Sequence, residues 1–303
     1  MSSKKGLNEK YISFLEKTKD DTHNSVNHLN DRVLIVDGLN TFIRSFAVNP
    51  SINDDGLHIG GMMGFLKSVR YSCDILKPSR CIIVFDGKDG SKRRRKIYPE
   101  YKANRKVKQR LNRNVDWGTA PQDEEESMKQ QMGRLIEYLE QLPLTLISID
   151  GIEADDTIAY ISQQLLPKSD IFIMSTDKDF LQLVDNRIQV YSPTKKLMYD
   201  EERIKNEFGI NPKNFLLFRV LDGDKSDGIP GVHGVGLKTL LKNFPWLSED
   251  VKYTINDLLK SASKKRKQVK LCENICNSEE QILMNRRLMD LDDGIMGGSS
   301  KLK

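Results

Sequence analysis

Acidic residues follow short apolar segments repeatedly along this chain. Asp37 ends VLIVD, Asp86 ends CIIVFD, and Asp177 follows DIFIMST. Short apolar runs are typical of buried strands, whereas the longer segments between them carry apolar residues at helical spacing. Strands that alternate with helices predict an α/β fold built on a mainly parallel central sheet flanked by helices. This alternation restricts the fold more than any other feature of the sequence.

Five strands are predicted: RVLIVD, CIIVFD, LTLISID, DIFIMSTD and RIQVYS. Helices are predicted around residues 60–76 and 127–141, and again from GIEADD onward. In such sheets ligands bind outside the carboxyl ends of the strands, which is where the acids stand. We therefore expect a leader over 1–31, an α/β core over 32–200, a helical region over 201–290 and a flexible tail over 291–303.

Composition argues against several classes of protein. The chain has 303 residues, 30% of them charged, and lacks the run of about 18 apolar residues that a membrane span needs. Its N-terminal segment has no apolar core of the signal-peptide type, which favours a cytoplasmic protein without membrane association. The four cysteines are scattered without a zinc-type pair, so packed, reduced thiols are expected.

Nine acids form the candidate metal site. They are Asp37 in VDGLN, Asp86 in VFDG, Glu153, Asp155 and Asp156 in GIEADD, Asp177 and Asp179 in STDKDF, and Asp224 and Asp227 in GDKSDG. Acids packed together repel one another and resist the loss of water, so a cluster this dense needs cations. Carboxylate oxygens suit Mg²⁺ or Mn²⁺. Two such ions close together are a common device for cleaving phosphodiesters.

Each acidic motif also has an ordinary explanation. Acids favour helix N-termini, where Glu153 and Asp156 would share one face. Asp177 and Asp179 are equally suited to capping a turn. One shared site accounts for all the motifs together, and we favour it. Asp222, a further acid nearby, is assigned to a solvated turn.

The basic residues are as unevenly distributed as the acids. From Lys92 to Arg113 there are eleven basic residues and one acid, with Tyr98 and Tyr101 among them. Lysine and arginine would bind backbone phosphates, and an aromatic ring can stack on an exposed base, so a nucleic-acid partner is expected. The alternative is a solvated loop or a targeting segment.

A glycine-rich turn, IPGVHGVG, precedes a helical segment. Gly231, Gly234 and Gly236 permit a tight turn whose backbone N–H groups face a phosphate, beside Lys238 on the following helix. The alternative is a plain glycine turn that joins two helices.

Six motifs occur in a familiar order over roughly residues 32–245: VDGLN, VFDG, YPEYKANR, EADD, STDKDF and GDKSDGIPGVHGVGLKT. Together they resemble the flap endonuclease / 5′-to-3′ exonuclease family. This family includes the 5′-nuclease domain of bacterial DNA polymerase I and bacteriophage 5′ nucleases, some of which are called phage ribonuclease H. The resemblance implies a PIN-like 5′-nuclease core and a helical C-terminal region with a helix–three-turn–helix. Gly228 departs from the pattern, since the family often has asparagine there.

The resemblance also implies roles for individual residues. Asp37, Asp86, Glu153, Asp155 and Asp156 would surround one Mg²⁺, and Asp177, Asp179, Asp224 and Asp227 the other, with some sharing. Residues 88–125 would form the helical arch that receives a 5′ end. Within it, Lys102 would contact the scissile phosphate, and Arg94, Tyr101 and Arg105 would also contact substrate. Gly231 to Lys238 would grip the duplex, with a K⁺ ion as a further expectation.

The implied function is a Mg²⁺-dependent 5′ nuclease, with Mn²⁺ as a substitute, that uses two metals. Asp177 and Lys102 are its expected catalytic residues. It would remove RNA primers and 5′ flaps during replication of a phage genome, acting on flapped or nicked DNA and on RNA–DNA hybrids as a monomer. A replication clamp or a single-strand-binding protein is a candidate partner. Two alternatives stay open, a PIN-like ribonuclease and a non-catalytic protein that binds branched DNA.

Overall fold

The computed structural model describes residues 29–103, 110–117 and 121–291. Their strands form one six-stranded sheet in the order β3-β2-β1-β4-β5-β6, with β1 to β5 parallel and β6 antiparallel. The strands are β1 (Arg32–Asp37), β2 (Arg80–Asp86), β3 (Thr145–Ile149), β4 (Asp170–Met174), β5 (Ile188–Ser192) and β6 (Leu197–Tyr199). The mainly parallel sheet predicted from the sequence is confirmed.

The α-helices of the described chain are α1 (Gly38–Val48), α2 (Gly60–Leu76), α3 (Lys92–Ile97), α4 (Pro121–Leu139), α5 (Ala154–Tyr160), α6 (Glu201–Phe208), α7 (Phe215–Asp222), α8 (Leu237–Asn243), α9 (Ile255–Lys265), α10 (Lys270–Asn277) and α11 (Glu279–Met289). A π-helical turn, Ile161–Leu165, continues α5. Short 3₁₀ helices lie at Lys178–Leu183, Pro212–Asn214 and Pro245–Ser248.

The central strand β1 is buried on both faces. Leu34 and Val36 point to one face, where they pack with Phe42, Phe46 and other residues of α1, α2 and α4. The side chains of Val33 and Ile35 point to the other face, which α5 and the C-terminal helices cover. Because helices cover both faces, the polar groups needed for chemistry are left at the strand ends.

The strand register brings the acid-bearing ends together. Asp37 pairs with Val84 of β2, two residues before Asp86, and Val36 pairs with Met174, the last residue of β4. Neighbouring parallel strands therefore end at the same edge of the sheet.

The structure differs from the predicted elements in three places. Neither α1 nor β6 was predicted, and the helix before β3 was predicted to begin at residue 127, whereas α4 begins at Pro121. The first turn of α4 is polar and acidic, which the helix dipole favours but an apolar periodicity cannot reveal. β6 has only three residues, too few for a recognisable alternation.

The helical region after residue 200 shares its core with the sheet. Phe215 of α7, Leu258 of α9 and Ile282 of α11 belong to the same buried cluster as Val33 and Ile35. The predicted leader and tail lie almost wholly outside the described residues, so the proposed domain limits stay a prediction. Within the described part of the chain, no helix combines the length and the apolar character needed to cross a bilayer.

Candidate active site

Asp37 is the last residue of β1 and caps the helix that follows. Its carboxylate accepts hydrogen bonds from the backbone N–H of Asn40 at 3.2 Å and from the Ser175 hydroxyl at 2.9 Å. Burial, assisted by the charges of Asp177 and Asp86, raises the pKa of Asp37 from 3.8 to about 7. Acids from β1, from β2 and from the turn after β4 are therefore within electrostatic reach of one another.

Asp177 lies three residues beyond the end of β4, where it caps the 3₁₀ helix. Its carboxylate accepts a hydrogen bond of 2.8 Å from the backbone N–H of Asp179. Burial raises the pKa of Asp177, and the charges of Asp224 and Asp227 act in the same direction. Burial and the charge of Asp177 raise the pKa of Asp179 to about 7.

Asp86, at the end of β2, connects that strand to the start of α5. Its carboxylate accepts a hydrogen bond of 2.8 Å from the backbone N–H of Ala154. Burial raises the pKa of Asp155 well above its usual value, and the negative charges of Asp177 and Asp37 raise it further. Asp155 therefore belongs to the same group of interacting acids.

Arg94 binds two further acids at the start of α5, Glu153 just before the helix and Asp156 within it. Arg94 is 5% exposed, and its guanidinium donates to the two oxygens of Asp156 at 2.7 and 2.8 Å and also binds Glu153. The Arg94 Nε donates to the carbonyl oxygen of Leu288 at 2.7 Å. This arginine therefore joins the start of α5 to the end of α11.

Lys102 lies beside the same glutamate. Its Nζ binds Glu153, and its backbone N–H donates to the carbonyl oxygen of Asp227 at 2.8 Å. Its φ of 58° lies in the left-handed region, where strained residues are often found at functional sites. Burial opposes the charged ammonium, but Glu153, Asp155 and Asp227 outweigh it and raise the pKa of Lys102.

Arg219, on α7, connects two further acids. Its Nε donates to Asp179 at 2.6 Å and its Nη2 to Asp224 at 2.8 Å. Asp224 also accepts bonds from the backbone N–H and the hydroxyl of Ser226, at 2.7 and 2.6 Å. The loop that carries Asp224 and Asp227 is thereby fixed to the turn after β4.

The nine predicted acids all lie at or beside this one edge of the sheet. Arg94 binds Glu153 and Asp156, and Lys102 also binds Glu153. Arg219 binds Asp179 and Asp224. The remaining members of the interacting group are Asp37, Asp86, Asp155, Asp177 and Asp227. Among the residues that the structure describes, no three side chains are gathered tightly enough to form a ready-made metal site.

The predicted nucleic-acid contacts in the basic segment fall into different environments. Arg94 and Tyr101 are buried, at 5% and 3% exposure, and both bind Glu153. A substrate contact by either would require these bonds to open, because burial leaves them no exposed polar group. Lys102 is partly exposed, and Arg105 lies outside the described residues.

The glycine-rich turn joins α7 to α8. A Cβ on Gly231 would lie 2.2 Å from the carbonyl oxygen of Asp222, and Gly234 has a φ of +79°, so both positions favour glycine. Lys238 is exposed on α8, as is Gly236 before it. The amides of Gln281 and Asn285, on α11, donate to the Pro230 carbonyl at 3.0 and 2.7 Å. The C-terminal helices therefore support this turn.

Three residues of the site were not predicted. Asn40 accepts a bond of 2.9 Å from the Thr176 hydroxyl, Ser175 binds Asp37, and Arg219 pairs with acids from two segments. A lone arginine within FLLFRVLD was a usable signal, since a cation on an otherwise apolar helix needs a buried partner. The partners themselves were not readable from the sequence.

A family model described as the N-terminal, resolvase-like domain of 5′–3′ exonucleases matches residues 32–209, which span all six strands. The chain belongs to the 5′–3′ exonuclease family. It is a 5′–3′ exonuclease, a nuclease that acts on phosphodiester bonds. The resemblance recognised from the motifs is confirmed, and it favours an enzyme over a non-catalytic binding protein.

Relatives of known name support this membership. The 5′–3′ exonuclease of Buchnera aphidicola is 33% identical over 71% of this chain and 71% of its own length. That of Bacillus subtilis is 31% identical over 70% of this chain and 69% of its own. DNA polymerase I of Pseudomonas aeruginosa is 32% identical over 69% of this chain, but the chain spans only 21% of that polymerase.

Solved structures support the fold. The flap endonuclease of bacteriophage T5, in a complex with DNA and metal ions, has a TM-score of 0.68 at 23% identity, over 86% of this chain and 89% of its own. The catalytic core of Rad2 with a DNA substrate has a TM-score of 0.50 at 16% identity, over 86% and 78%. These likenesses confirm the predicted nuclease fold.

The buried ion pair at Arg94 predicts a large effect on the stability of the nuclease. Replacing Arg94 with methionine leaves Glu153 and Asp156 buried without their main cation, so the free energy of unfolding is expected to fall by about 3 kcal/mol. Urea unfolding monitored by circular dichroism measures the change. The matched control is Arg95→Met on the exposed face of the same helix, expected to stay within about 0.5 kcal/mol of wild type. Equal stability of both variants would contradict the assigned role.

Asp37 predicts a pH-dependent effect in metal-free nuclease. Its folded pKa of about 7 exceeds the unfolded value of 3.8, so the stability gained from its protonation is fully present below about pH 4 and lost as the pH rises through 7. Asp37→Asn keeps a neutral group of the same shape, whose single amide oxygen can accept from the Asn40 N–H while its NH₂ group donates to the Ser175 hydroxyl oxygen. It is expected to stabilise the protein at pH 8, by at most about 4 kcal/mol, and to have little effect at pH 4. Urea unfolding in EDTA at the two pH values measures this, and an equal effect at both would contradict it.

Proposed function

We propose that this nuclease hydrolyses phosphodiesters near the 5′ ends of flapped or nicked DNA, and of RNA–DNA hybrids, with two divalent cations. Removal of RNA primers and 5′ flaps during DNA replication is the corresponding biological task. The observation that carries the proposal is the set of interacting acids at the carboxyl edge of the sheet, where burial raises the pKa of Asp37 and of Asp155 and the charge of Asp177 raises both further. Such a set is costly to keep charged unless cations neutralise it.

The donor set fits hard divalent cations. Every predicted ligand is a carboxylate, and carboxylate oxygens suit Mg²⁺ and Mn²⁺. We propose that Asp37, Asp86 and Asp155 hold one ion, and that Asp177 and Asp227 hold the other. The T5 5′-exonuclease has been solved with divalent metal ions, namely zinc, which supports a divalent cofactor here. When bound, such ions lower the pKa of an attacking water and stabilise the departing oxygen.

The remaining four acids have a second role in the proposal. Glu153 and Asp156 are held by Arg94, and Asp179 and Asp224 by Arg219. Because each of these four carboxylates is already paired with an arginine, any metal that it contacted would compete with that arginine for its negative charge. They therefore position the loops that carry the ligands and limit the net negative charge of the site.

Lys102 is proposed to act on the substrate phosphate. Its ammonium lies at the acidic site, held by Glu153, and it is partly exposed. A cation placed there can donate to a phosphate oxygen as negative charge builds on it. Its backbone bond to Asp227 keeps the base of the basic segment close to the metal ligands.

Duplex binding is proposed for the glycine-rich turn and α8. Gly231, Gly234 and Gly236 allow the backbone to approach a phosphate closely, and Lys238 is exposed beside them. The T5 enzyme and the Rad2 core have both been solved with DNA, which supports DNA as the partner. A K⁺ ion at this turn and a clamp or single-strand-binding partner stay predictions.

Cleavage of three substrates side by side tests the proposal. A 5′-flap DNA, an RNA–DNA hybrid and a single-stranded RNA are incubated with the protein, with Mg²⁺ and with EDTA. Cleavage of the flap and the hybrid at their 5′ ends, with Mg²⁺ only, is expected. Cleavage of single-stranded RNA alone would favour the PIN-like ribonuclease, and cleavage in EDTA would contradict the metal mechanism.

A further inference from the structure

A cavity lined by cationic and hydroxyl side chains opens beside the active site. It has a volume of about 180 Å³ and borders Asp177, on the flank of the sheet formed by β4, β5 and β6. Three cationic side chains line it: Arg44 from α1, Lys178 from the 3₁₀ helix and Lys195 from the β5–β6 turn. No role in the two-metal reaction accounts for this group of cations.

Two of these cations lack an acidic partner in the described residues. Arg44 is exposed and makes no hydrogen bond or ion pair with residues 29–103, 110–117 or 121–291. The Nζ of Lys178 lies 5.9 Å from the centre of the Phe208 ring, its one recorded partner in that part of the chain. Lys195 donates to the Tyr199 hydroxyl at 2.7 Å and lies 3.4 Å from Glu207. The cavity therefore has two cations without an acidic partner among the described residues, and one acid, Asp177, on its rim.

Hydroxyl groups also line the cavity, from Ser175, Thr176, Ser192, Thr194 and Tyr199, together with the apolar side chains of Leu181 and Val190. The Thr176 hydroxyl donates to the Asn40 side chain at 2.9 Å, and the Ser192 and Thr194 hydroxyls are 3.4 Å apart. Cations combined with hydroxyls are the groups that proteins use to hold phosphate oxygens. The composition therefore points to an anion that carries oxygen, and to a phosphate in particular.

The position of the cavity relative to Lys102 identifies the source of that phosphate. Lys102 binds Glu153, which follows β3 at one side of the sheet. The cavity lies beside β4, β5 and β6, at the other side of the sheet. Neighbouring strands are about 4.8 Å apart, so β1 and β5 are separated by about 10 Å. A nucleic-acid strand whose scissile phosphate lies at the acids would therefore bring a nearby phosphate to the cavity.

We propose that the cavity of Arg44, Lys178 and Lys195 binds one backbone phosphate of the strand being cut, on the side of the active site opposite Lys102. The volume suits this ligand, since it corresponds to roughly six water molecules and lies below the range of about 300–1,000 Å³ usual for larger organic ligands. The subsite rests on the proposed function, because it requires a strand that crosses the acidic edge. It would fix the register of that strand at the metal ligands.

Arg44→Gln tests the subsite by the salt dependence of binding. Each phosphate contact contributes about 0.9 to the slope of log affinity against log salt, so its loss reduces the affinity ratio between 50 and 200 mM salt by about 3.5-fold. Fluorescence anisotropy with a 5′-flap DNA in Ca²⁺ measures both slopes. Arg70→Gln is the matched control, because Arg70 is exposed on α2 and forms an ion pair with Asp74, at 3.8 Å, on the same helix. Lys178→Gln, a second variant of the cavity, is expected to reduce the slope in the same way.

Neutral methylphosphonate linkages identify the phosphate. Placed one at a time near the cleavage point, one of them is expected to weaken wild-type binding while leaving the affinity of Arg44→Gln unchanged. Inorganic phosphate serves as a competitor to separate a free anion from the strand. Unchanged salt slopes in both cavity variants would contradict the proposed subsite. So would variants that no longer bind inorganic phosphate but bind the flap DNA as wild type does. If wild type cleaves the flap normally in that case, the subsite alone fails; absence of wild-type cleavage refutes the proposed function itself.

Discussion

Replacing Asp177 with asparagine is expected to reduce flap cleavage by at least about 10³-fold, because a neutral amide cannot replace a charged ligand of a divalent ion. The fold should survive the change, since asparagine has the same shape and its amide oxygen can still accept the Asp179 N–H bond that caps the 3₁₀ helix. Binding of flap DNA should change little. Single-turnover cleavage in Mg²⁺ and anisotropy in Ca²⁺ measure the two quantities separately.

The same strand supplies a matched control for this variant. Asp170 lies at the other end of β4 and is exposed, so Asp170→Asn removes one negative charge far from the proposed metals. Its cleavage rate is expected to equal that of wild type. Near-wild-type turnover of Asp177→Asn would refute its assignment as a ligand, whatever the control shows.

Lys102→Ala is expected to slow the chemical step by about 10²-fold while weakening DNA binding by less than about threefold. The reason is position: the ammonium lies at the acids, where charge develops during cleavage, and it is one of many cations along the strand. Pre-steady-state rates at saturating enzyme separate the chemical step from affinity.

Lys67→Ala provides the comparison for Lys102. Lys67 is exposed on α2, away from the acidic edge, so its removal should alter neither rate nor affinity. If Lys102→Ala changed affinity and left the chemical rate intact, the lysine would be an electrostatic contact only. The assignment of Lys102 to the reacting phosphate would then be wrong.

The sheet was predictable because its strands are buried on both faces. Val33, Leu34, Ile35 and Val36 are fully buried, so β1 appears in the sequence as a continuous apolar run. An acid directly after such a run is conspicuous, and Asp37 and Asp86 were found in this way. The short β6 and the polar start of α4 lack this contrast. β6 was therefore not predicted, and the predicted start of α4 was too late in the sequence.

The pairing of cations with acids was not predictable. Arg94 meets Glu153 across 59 positions of sequence, and Arg219 meets Asp179 across 40. These pairs depend on how helices pack against the sheet edge, which no local pattern encodes. For the same reason the burial of Arg94 and Tyr101 beside α11 was not predictable, and their substrate contacts stay a prediction.

The central claim is that acids from separate segments hold two divalent ions at one edge of the sheet. The most direct measurement is an anomalous difference map from crystals of the protein grown with Mn²⁺. Two peaks are expected, one among Asp37, Asp86 and Asp155 and one between Asp177 and Asp227. Absence of any peak at these carboxylates in crystals that contain Mn²⁺ elsewhere would contradict the account.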